Sequence, residues 1–388
     1  MLTQSLLDND LYKFTMQMAV LANFPNTKVS YEFKDRRPTG KFNSAFWNAF
    51  NHELQCMAQF QLRDDEIEFI KQKLPFLNRP DYIAYLSEYR FNPEEVNVSV
   101  DDEGGLNLSI EGDWASTILW EVPLLAIVSE LYYMHCDRDW TEDNQTELAD
   151  KKSTLLSESG CIFADFGTRR RRQFDIQDNF VRLAKGKPGF VGTSNVFLAK
   201  EHDVKAIGTM AHEWIMGVSG MDGLRRANKR ALWRWADTYD GNLGIALTDT
   251  YGTEAFFEDF EGKLARMYDG VRHDSGDPIK FGERVIEHYQ SLGIKPTTKS
   301  IVFSDGLTVD KAIEINEYFK DKINVSFGIG THFTNDFENS PALSIVIKLR
   351  TIDGVPVVKI SDEPAKIQGD PDACRVAKWT FFGEPLDT

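Results

Sequence analysis

Apolar and polar positions divide the chain into three textures. In the first ~140 residues the pattern is mixed. Residues 10–24 (DLYKFTMQMAVLANF) carry apolar side chains at helical spacing, and Val29–Phe33 alternates as a half-buried strand does. Helical stretches rich in Phe and Trp follow. Val96–Ile110 predicts a hairpin with Asp101–Gly105 as its turn. From Cys161 onward, short apolar runs recur and end in small or polar residues: CIFADFGTR, GFVGTSN, KAIGTMAH, LGIALTD, GVRHDSGD, SIVFSDG and NVSFGIGT. Helical patterns at Glu254–Tyr268, Pro278–Leu292 and Val309–Lys320 lie between the later runs. Such alternation implies parallel strands with right-handed crossovers. The last ~45 residues change again: SIVIKLRTIDGVPVVKISD reads as two strands around Asp353-Gly354.

The expectation is therefore an α/β chain. An irregular α/β barrel over 141–340 stands beside an N-terminal α/β domain over 1–140. The C-terminal hairpin and tail, 341–388, rejoin that N-terminal domain. A chain of 388 residues is long enough for two cores. No low-complexity segment or Pro/Ser-rich linker marks the boundary.

Composition narrows the partners. A net charge of −16 argues against a nucleic-acid surface, so any anion site must be built locally from arginines and backbone N–H groups. No apolar run approaches the roughly 20 residues of a membrane span. The N-terminus lacks the basic region of a signal peptide. The four cysteines (Cys56, Cys136, Cys161, Cys374) are far apart and form no C-x-x-C pair. That spacing argues against a disulfide framework or zinc site and fits a reducing, cytoplasmic compartment.

In α/β barrels, chemistry sits in the loops after the strands. That rule selects Arg169, Ser194 with Asn195, Thr209 with His212, Asp249, Arg272 with Asp274 and Asp277, Ser304 with Asp305, and Gly330 with Thr331. Asp, Ser and Gly also end strands simply because they make turns. Two loops look like phosphate cradles. One carries Ser304, Asp305 and Gly306, the other Gly328, Gly330 and Thr331, and each precedes a predicted helix start. Neither matches a P-loop or a dinucleotide fingerprint. The run Arg169–Arg172 has a bland reading as a solvated basic helix start and a second as a nucleic-acid patch. At ~100° per residue all four cannot face one ligand, so Arg169 and Arg170 are the expected site residues. His212 lacks the second histidine of H-E-x-x-H, since position 216 is Met. Packed imidazole and phosphoryl nucleophile both remain open for it. Asp274 and Asp277 flank Ser275-Gly276. Helix capping suits Asp277 before Pro278, and ligand work suits Asp274.

Six segments in order resemble the nicotinate phosphoribosyltransferase family: DNDLYKFTM (8–16), FADFGTRR (163–170), GTMAHEW (208–214), GVRHDSGD (270–277), VFSDGL (302–307) and SFGIGT (326–331). The arginine motif reads TRRRR where many relatives have an LRRAQ-like form. The resemblance implies the type II phosphoribosyltransferase barrel. It implies joining of nicotinate to 5-phosphoribosyl 1-diphosphate, giving nicotinate mononucleotide and pyrophosphate on the way to NAD. It implies ATP as co-substrate through a phosphohistidine, which is His212 by motif position, and Mg²⁺ with arginines to stabilise the departing anion. It assigns Tyr12, Thr209 and Arg272 to nicotinate, with Phe166 and Arg169 close by, and the two glycine loops to the 5′-phosphate. It also implies a homodimer in which Tyr12 of one copy caps the site of the other. The alternatives are another pyridine base (nicotinamide or quinolinate) and a sugar-phosphate barrel enzyme. The latter lacks a convincing strand-end lysine here.

Overall fold

The computed structural model describes residues 1–36, 42–101 and 103–383, which leaves one position of the predicted 101–105 turn outside the described residues. Its strands are β1 (Lys28–Asp35), β2 (Val96–Val100), β3 (Leu106–Asp113), β4 (Phe163–Asp165), β5 (Phe190–Thr193), β6 (Ile245–Leu247), β7 (Gly270–His273), β8 (Ser300–Phe303), β9 (Asn324–Ile329), β10 (Ile345–Ile352) and β11 (Val355–Pro356). They form two sheets.

The first sheet has the order β11-β10-β1-β3-β2 and every pairing in it is antiparallel. β1 is its centre. Val29, Tyr31 and Phe33 point inward, as period-two alternation requires. β10, from the tail, pairs with β1 along Val29↔Ile352 to Asp35↔Ile345. Asp353 and Gly354 both have positive φ, the geometry that closes a two-residue hairpin. The second strand of that hairpin is shorter than its sequence predicts: only Val355 and Pro356 pair. Val357 N–H still donates to Arg350 O of β10, and the chain then turns so that Ile360 N–H donates to Thr250 O, in the loop after β6.

The second sheet is wholly parallel, in the order β5-β4-β9-β8-β7-β6. Its strands are short and apolar because both faces are covered. Six of the seven predicted runs are strands. The seventh, KAIGTMAH, makes only a single parallel bridge, Thr193↔Ala206. The segment lies between the edge strands β5 and β6, which do not pair among the described residues, and it reaches β6 through Thr209 Oγ1 donating to Ile245 O. The helix expected over Glu254–Tyr268 is two, Thr253–Asp259 and Gly262–Met267. The chain turns at Gly262, which has φ +54°. Helices Leu11–Asn23, Pro278–Ser291 and Val309–Phe319 fall where periodicity puts them.

One apolar stretch escaped the reading of the sequence. Trp114–His135 is 22 residues of helix, long and apolar enough to cross a membrane, but 89% of its apolar window is buried inside the fold. It packs against β10 and the turn at Thr168–Arg170.

Candidate functional site

The C-terminal ends of the parallel strands open into a cavity of about 460 Å³, roofed by β10 and the tail. It is lined by Tyr12, Phe166, Arg169, His212, Arg272, Asp274, Ser304, Asp305, Gly328, Gly330 and Thr331. Every residue that the resemblance assigns to the phosphohistidine, the base or the phosphate is thus brought together, but for one. The exception is Thr209, flanked by the lining residue Gly208. Its hydroxyl is spent on Ile245 O and its carbonyl accepts from Thr15 Oγ1. Ser194 also lines the cavity, whereas Asn195 caps the next helix by accepting from Leu198 N–H.

Four arginines in sequence go three ways. Arg169 and Arg170 reach the cavity. Arg171 is buried, with Nη1 and Nη2 on Asp8 at 2.8 and 3.0 Å and Nε on Glu130 at 2.7 Å. Arg172 lies under the ring of Tyr133, 3.5 Å from its centroid, and bonds Ser340. The four do not share one helix as the ~100° argument assumed: Thr168–Arg170 is a single 3-10 turn and Arg171 is extended, so it is this break that separates them, and the two buried arginines clamp the loop that presents the other two. Asp277 accepts from Ile279 N–H and Lys280 N–H, so it is the cap expected of it.

His212 opens the helix His212–Asp222 and is almost fully buried. Nδ1 is 2.9 Å from Thr250 Oγ1. Nε2 is 3.0 Å from Asp274 Oδ2 and 2.9 Å from Lys359 Nζ. Burial, and then the Lys359 ammonium, push its pKa down to about 4, so the ring is neutral at pH 7. Nε2 therefore sits between a partner that can only accept and one that can only donate. A neutral ring meets this either by an Nε2–H donated to Asp274 or by an Nε2 lone pair accepting from Lys359, and in the second tautomer Nε2 is the nitrogen a phosphoryl group would meet once Lys359 yields. Lys359 also bridges to Asp249 Oδ2 at 3.0 Å. Burial opposes ionisation of Asp249 and Asp274. With His212 neutral, Lys359 and Arg272 are the charges that hold those carboxylates ionised.

Tyr12 and Arg169 line the same cavity. Tyr12 Oη, Arg272 Nε and Asp249 Oδ1 are buried without a hydrogen-bond partner. Buried orphans of this kind cost ~1–3 kcal/mol each unless a ligand satisfies them. The first helix is fixed to its own chain: Leu11 N–H donates to Ser194 O, and Thr15 Oγ1 to Thr209 O. Tyr12 consequently lines the cavity of its own chain, beside Arg169.

The glycine loops need their glycines. A Cβ on Gly328 would stand 2.2 Å from the Phe166 ring, and one on Gly330 2.8 Å from Phe166 O. Close approach of the two loops is what sets Phe166 at the cavity wall.

Sequence reasoning missed Arg36, Glu121, Lys348, Lys359 and Lys366, all of which line the cavity. Burial pushes Lys348 down to about 7, with Glu121 partly offsetting it. A signal existed: Lys348 in IVIKLR and Glu121 in LWEVPLL are single charges inside apolar runs.

A model of the nicotinate phosphoribosyltransferase N-terminal domain matches residues 7–129, and one of the nicotinate phosphoribosyltransferase family matches residues 161–384. The chain belongs to the nicotinate phosphoribosyltransferase family. It is 47% identical to the nicotinate phosphoribosyltransferase of Methanococcoides burtonii, over 99% of each chain. Among solved structures it is similar to that of Porphyromonas gingivalis, with a TM-score of 0.93 at 38% identity over 97% of this chain and 99% of that one. It is equally similar to that of Vibrio cholerae, with a TM-score of 0.93 at 38% identity over 100% and 95%. The six motifs that carried the resemblance lie inside these matches.

Proposed function

We propose that the chain is a nicotinate phosphoribosyltransferase that makes nicotinate mononucleotide for NAD synthesis, with ATP hydrolysis coupled through His212. One observation carries the reading: an aromatic-and-arginine pocket (Tyr12, Phe166, Arg169, Arg272) shares a cavity with two glycine loops and a neutral, nucleophile-ready histidine. We read the parallel sheet, with the 205–209 segment in its gap, as an irregular α/β barrel, and take 1–140, 141–340 and 341–388 as its units. Four free cysteines support a reducing cytoplasm.

The pyridine ring lies between Tyr12 and Phe166, and its carboxylate is read by the Arg169 and Arg272 guanidinium groups. The 5′-phosphate sits on the backbone of Gly328–Thr331 and Ser304–Gly306. The pyridine nitrogen forms a bond to ribose C1 as the C1–O bond breaks, and pyrophosphate leaves with the electron pair. No proton moves, so the chain's task is positioning and anion stabilisation, for which Arg36, Lys348 and Lys366 are the nearby cations. In the coupled reaction His212 Nε2 takes the γ-phosphoryl group as the bond to ADP breaks, and water later removes it. The helix N-terminus at His212 favours the phosphoryl anion.

Asp249 and Asp274 fit Mg²⁺: their carboxylates lie with His212 in a group whose ligand atoms are all within 4.8 Å of one another, and Asp249 Oδ1 has no other partner. When bound, Mg²⁺ supplies charge neutralisation for phosphate oxygens. The test is product formation from nicotinate, nicotinamide and quinolinate, each with and without ATP. Nicotinate alone should be used well, and ATP should stimulate. Equal use of nicotinamide, or no response to ATP, rejects the respective half of the proposal.

A further inference from the structure

Between the histidine end and the arginine end of the cavity runs a line of charges that the reaction does not consume. Lys13, on the first helix, is fully buried. Its Nζ is 2.6 Å from Glu121 Oε2 and 2.6 Å from Glu213 Oε2. The other oxygen of Glu121 lies 3.4 Å from Arg169 Nη1. The other oxygen of Glu213 accepts from Tyr31 Oη at 2.6 Å and from Trp114 Nε1 at 2.8 Å. Glu213 follows His212 in the first turn of the same helix. Lys13 has no further ion partner among the described residues, and neither has either carboxylate.

The order Arg169, Glu121, Lys13, Glu213 alternates in sign, and its members come from four separate segments. Both carboxylates face a cavity that must admit anions. Without Lys13 they would repel those anions and each other. The line is also uneven. It is tight at its buried centre and slack where Glu121 meets Arg169, whose side chain is 37% exposed. An anion arriving at Arg169 competes only for the slack contact.

We propose that Lys13 is a positioning residue that couples the two ends of the site. When a base carboxylate draws Arg169 away, Glu121 is held by Lys13 alone. The change in pull on Lys13 is passed through Glu213 to the first turn of the helix that carries His212. By reciprocity, a phosphoryl group on His212 alters how tightly Arg169 takes the base. The inference rests on the reading of nicotinate at Arg169 and phosphohistidine at position 212.

The experiment compares nicotinate KM with and without ATP in the wild type, Lys13→Met, Lys13→Arg, Glu213→Gln and His212→Ala. In the wild type ATP lowers KM. In Lys13→Met that ratio shrinks by at least about fivefold, the lower end of ordinary coupling. Lys13→Arg, which keeps the charge, restores it. Should Lys13→Met fail to fold, Glu213→Gln carries the test. Its amide oxygen still accepts from Tyr31 and Trp114, while both the charge and the acceptor facing Lys13 are lost. A merely structural role changes KM by the same factor in both conditions and leaves the ratio at its wild-type value; that result overturns the proposal. No ATP effect on KM in the wild type also overturns it. That outcome is recognisable as failure of the phosphohistidine reading because wild type and His212→Ala then behave alike.

Discussion

At position 212 the chain holds an imidazole that burial and Lys359 keep neutral at physiological pH. A neutral ring beside Asp274 can take a phosphoryl group; a charged one cannot. Replacing it by alanine leaves Arg169, Arg272 and both glycine loops in place. His212→Ala should therefore lose ATP hydrolysis and ATP stimulation while retaining slow ATP-independent transfer. Stimulation that survives in the variant would refute the role. Lys348 offers a test by pH. Its ammonium is held down to about 7 by burial, and the charges around it are Glu121, Lys359, Arg169 and Arg36. A lysine with a depressed pKa is charged below that value and neutral above it, so its attraction for an anion is lost as pH rises. kcat/KM for 5-phosphoribosyl 1-diphosphate, which reports free-enzyme groups, should fall as pH increases through about 7. Lys348→Arg stays charged throughout and should remove that fall. An unchanged profile in the arginine variant would assign the fall to another group.

Elements decide where these side chains stand. The loops after β4 and β9 meet at Phe166, where Gly328 leaves room for the ring. Gly328→Ala puts a methyl group inside that ring's space, so Phe166 must move off the cavity wall. Overpacking of this kind costs ~1–3 kcal/mol. The variant should melt earlier and show a raised nicotinate KM; a wild-type KM would mean that Phe166 does not touch the base. The strand-and-loop pattern was legible because short buried parallel strands read as apolar runs, and their end residues then name the site. The tail was legible only in part. Its hairpin turn follows from Asp353-Gly354, but Val358–Ile360, apolar enough to read as strand, leaves the sheet. Its partner is Thr250, more than a hundred positions earlier, and no local pattern encodes that bond. Lys359 was missed for this reason. Thr209 was placed on the base by motif, but its segment fills the gap between β5 and β6 and its hydroxyl is used there. Lys13, Glu121 and Glu213 are charges within apolar stretches. Such charges are costly unless paired, which marks them as a set even though sequence cannot say which pairs with which.

On the scale of the whole molecule, the two sheets are arranged so that residues from both line one cavity. β10 joins the antiparallel sheet and carries Lys348 onto the cavity, and the segment after it brings Lys359 and Lys366. The first helix is pinned to the parallel sheet's loops by Leu11, Thr15 and Lys13, which leaves Tyr12 facing Arg169 of the same chain. In this placement Tyr12 lines the cavity of its own chain. Mixing subunits tests this directly. Tyr12→Ala removes the wall, and Arg272→Ala removes one partner of a buried charge contact, a loss worth about 2–5 kcal/mol or roughly thirtyfold and more in nicotinate use. If Tyr12 serves its own chain, a preparation refolded from equal parts of the two variants carries one lesion in every site, whatever the assembly. Its activity then equals the mean of the two variants measured alone. If Tyr12 crossed between copies, a mixed dimer would contain one intact site and one doubly damaged site. Half of a statistical mixture would be such dimers, and activity would rise toward a quarter of the wild-type value. A rise of that size would show that the first helix exchanges between chains in solution, in spite of the contacts that hold it within one chain here.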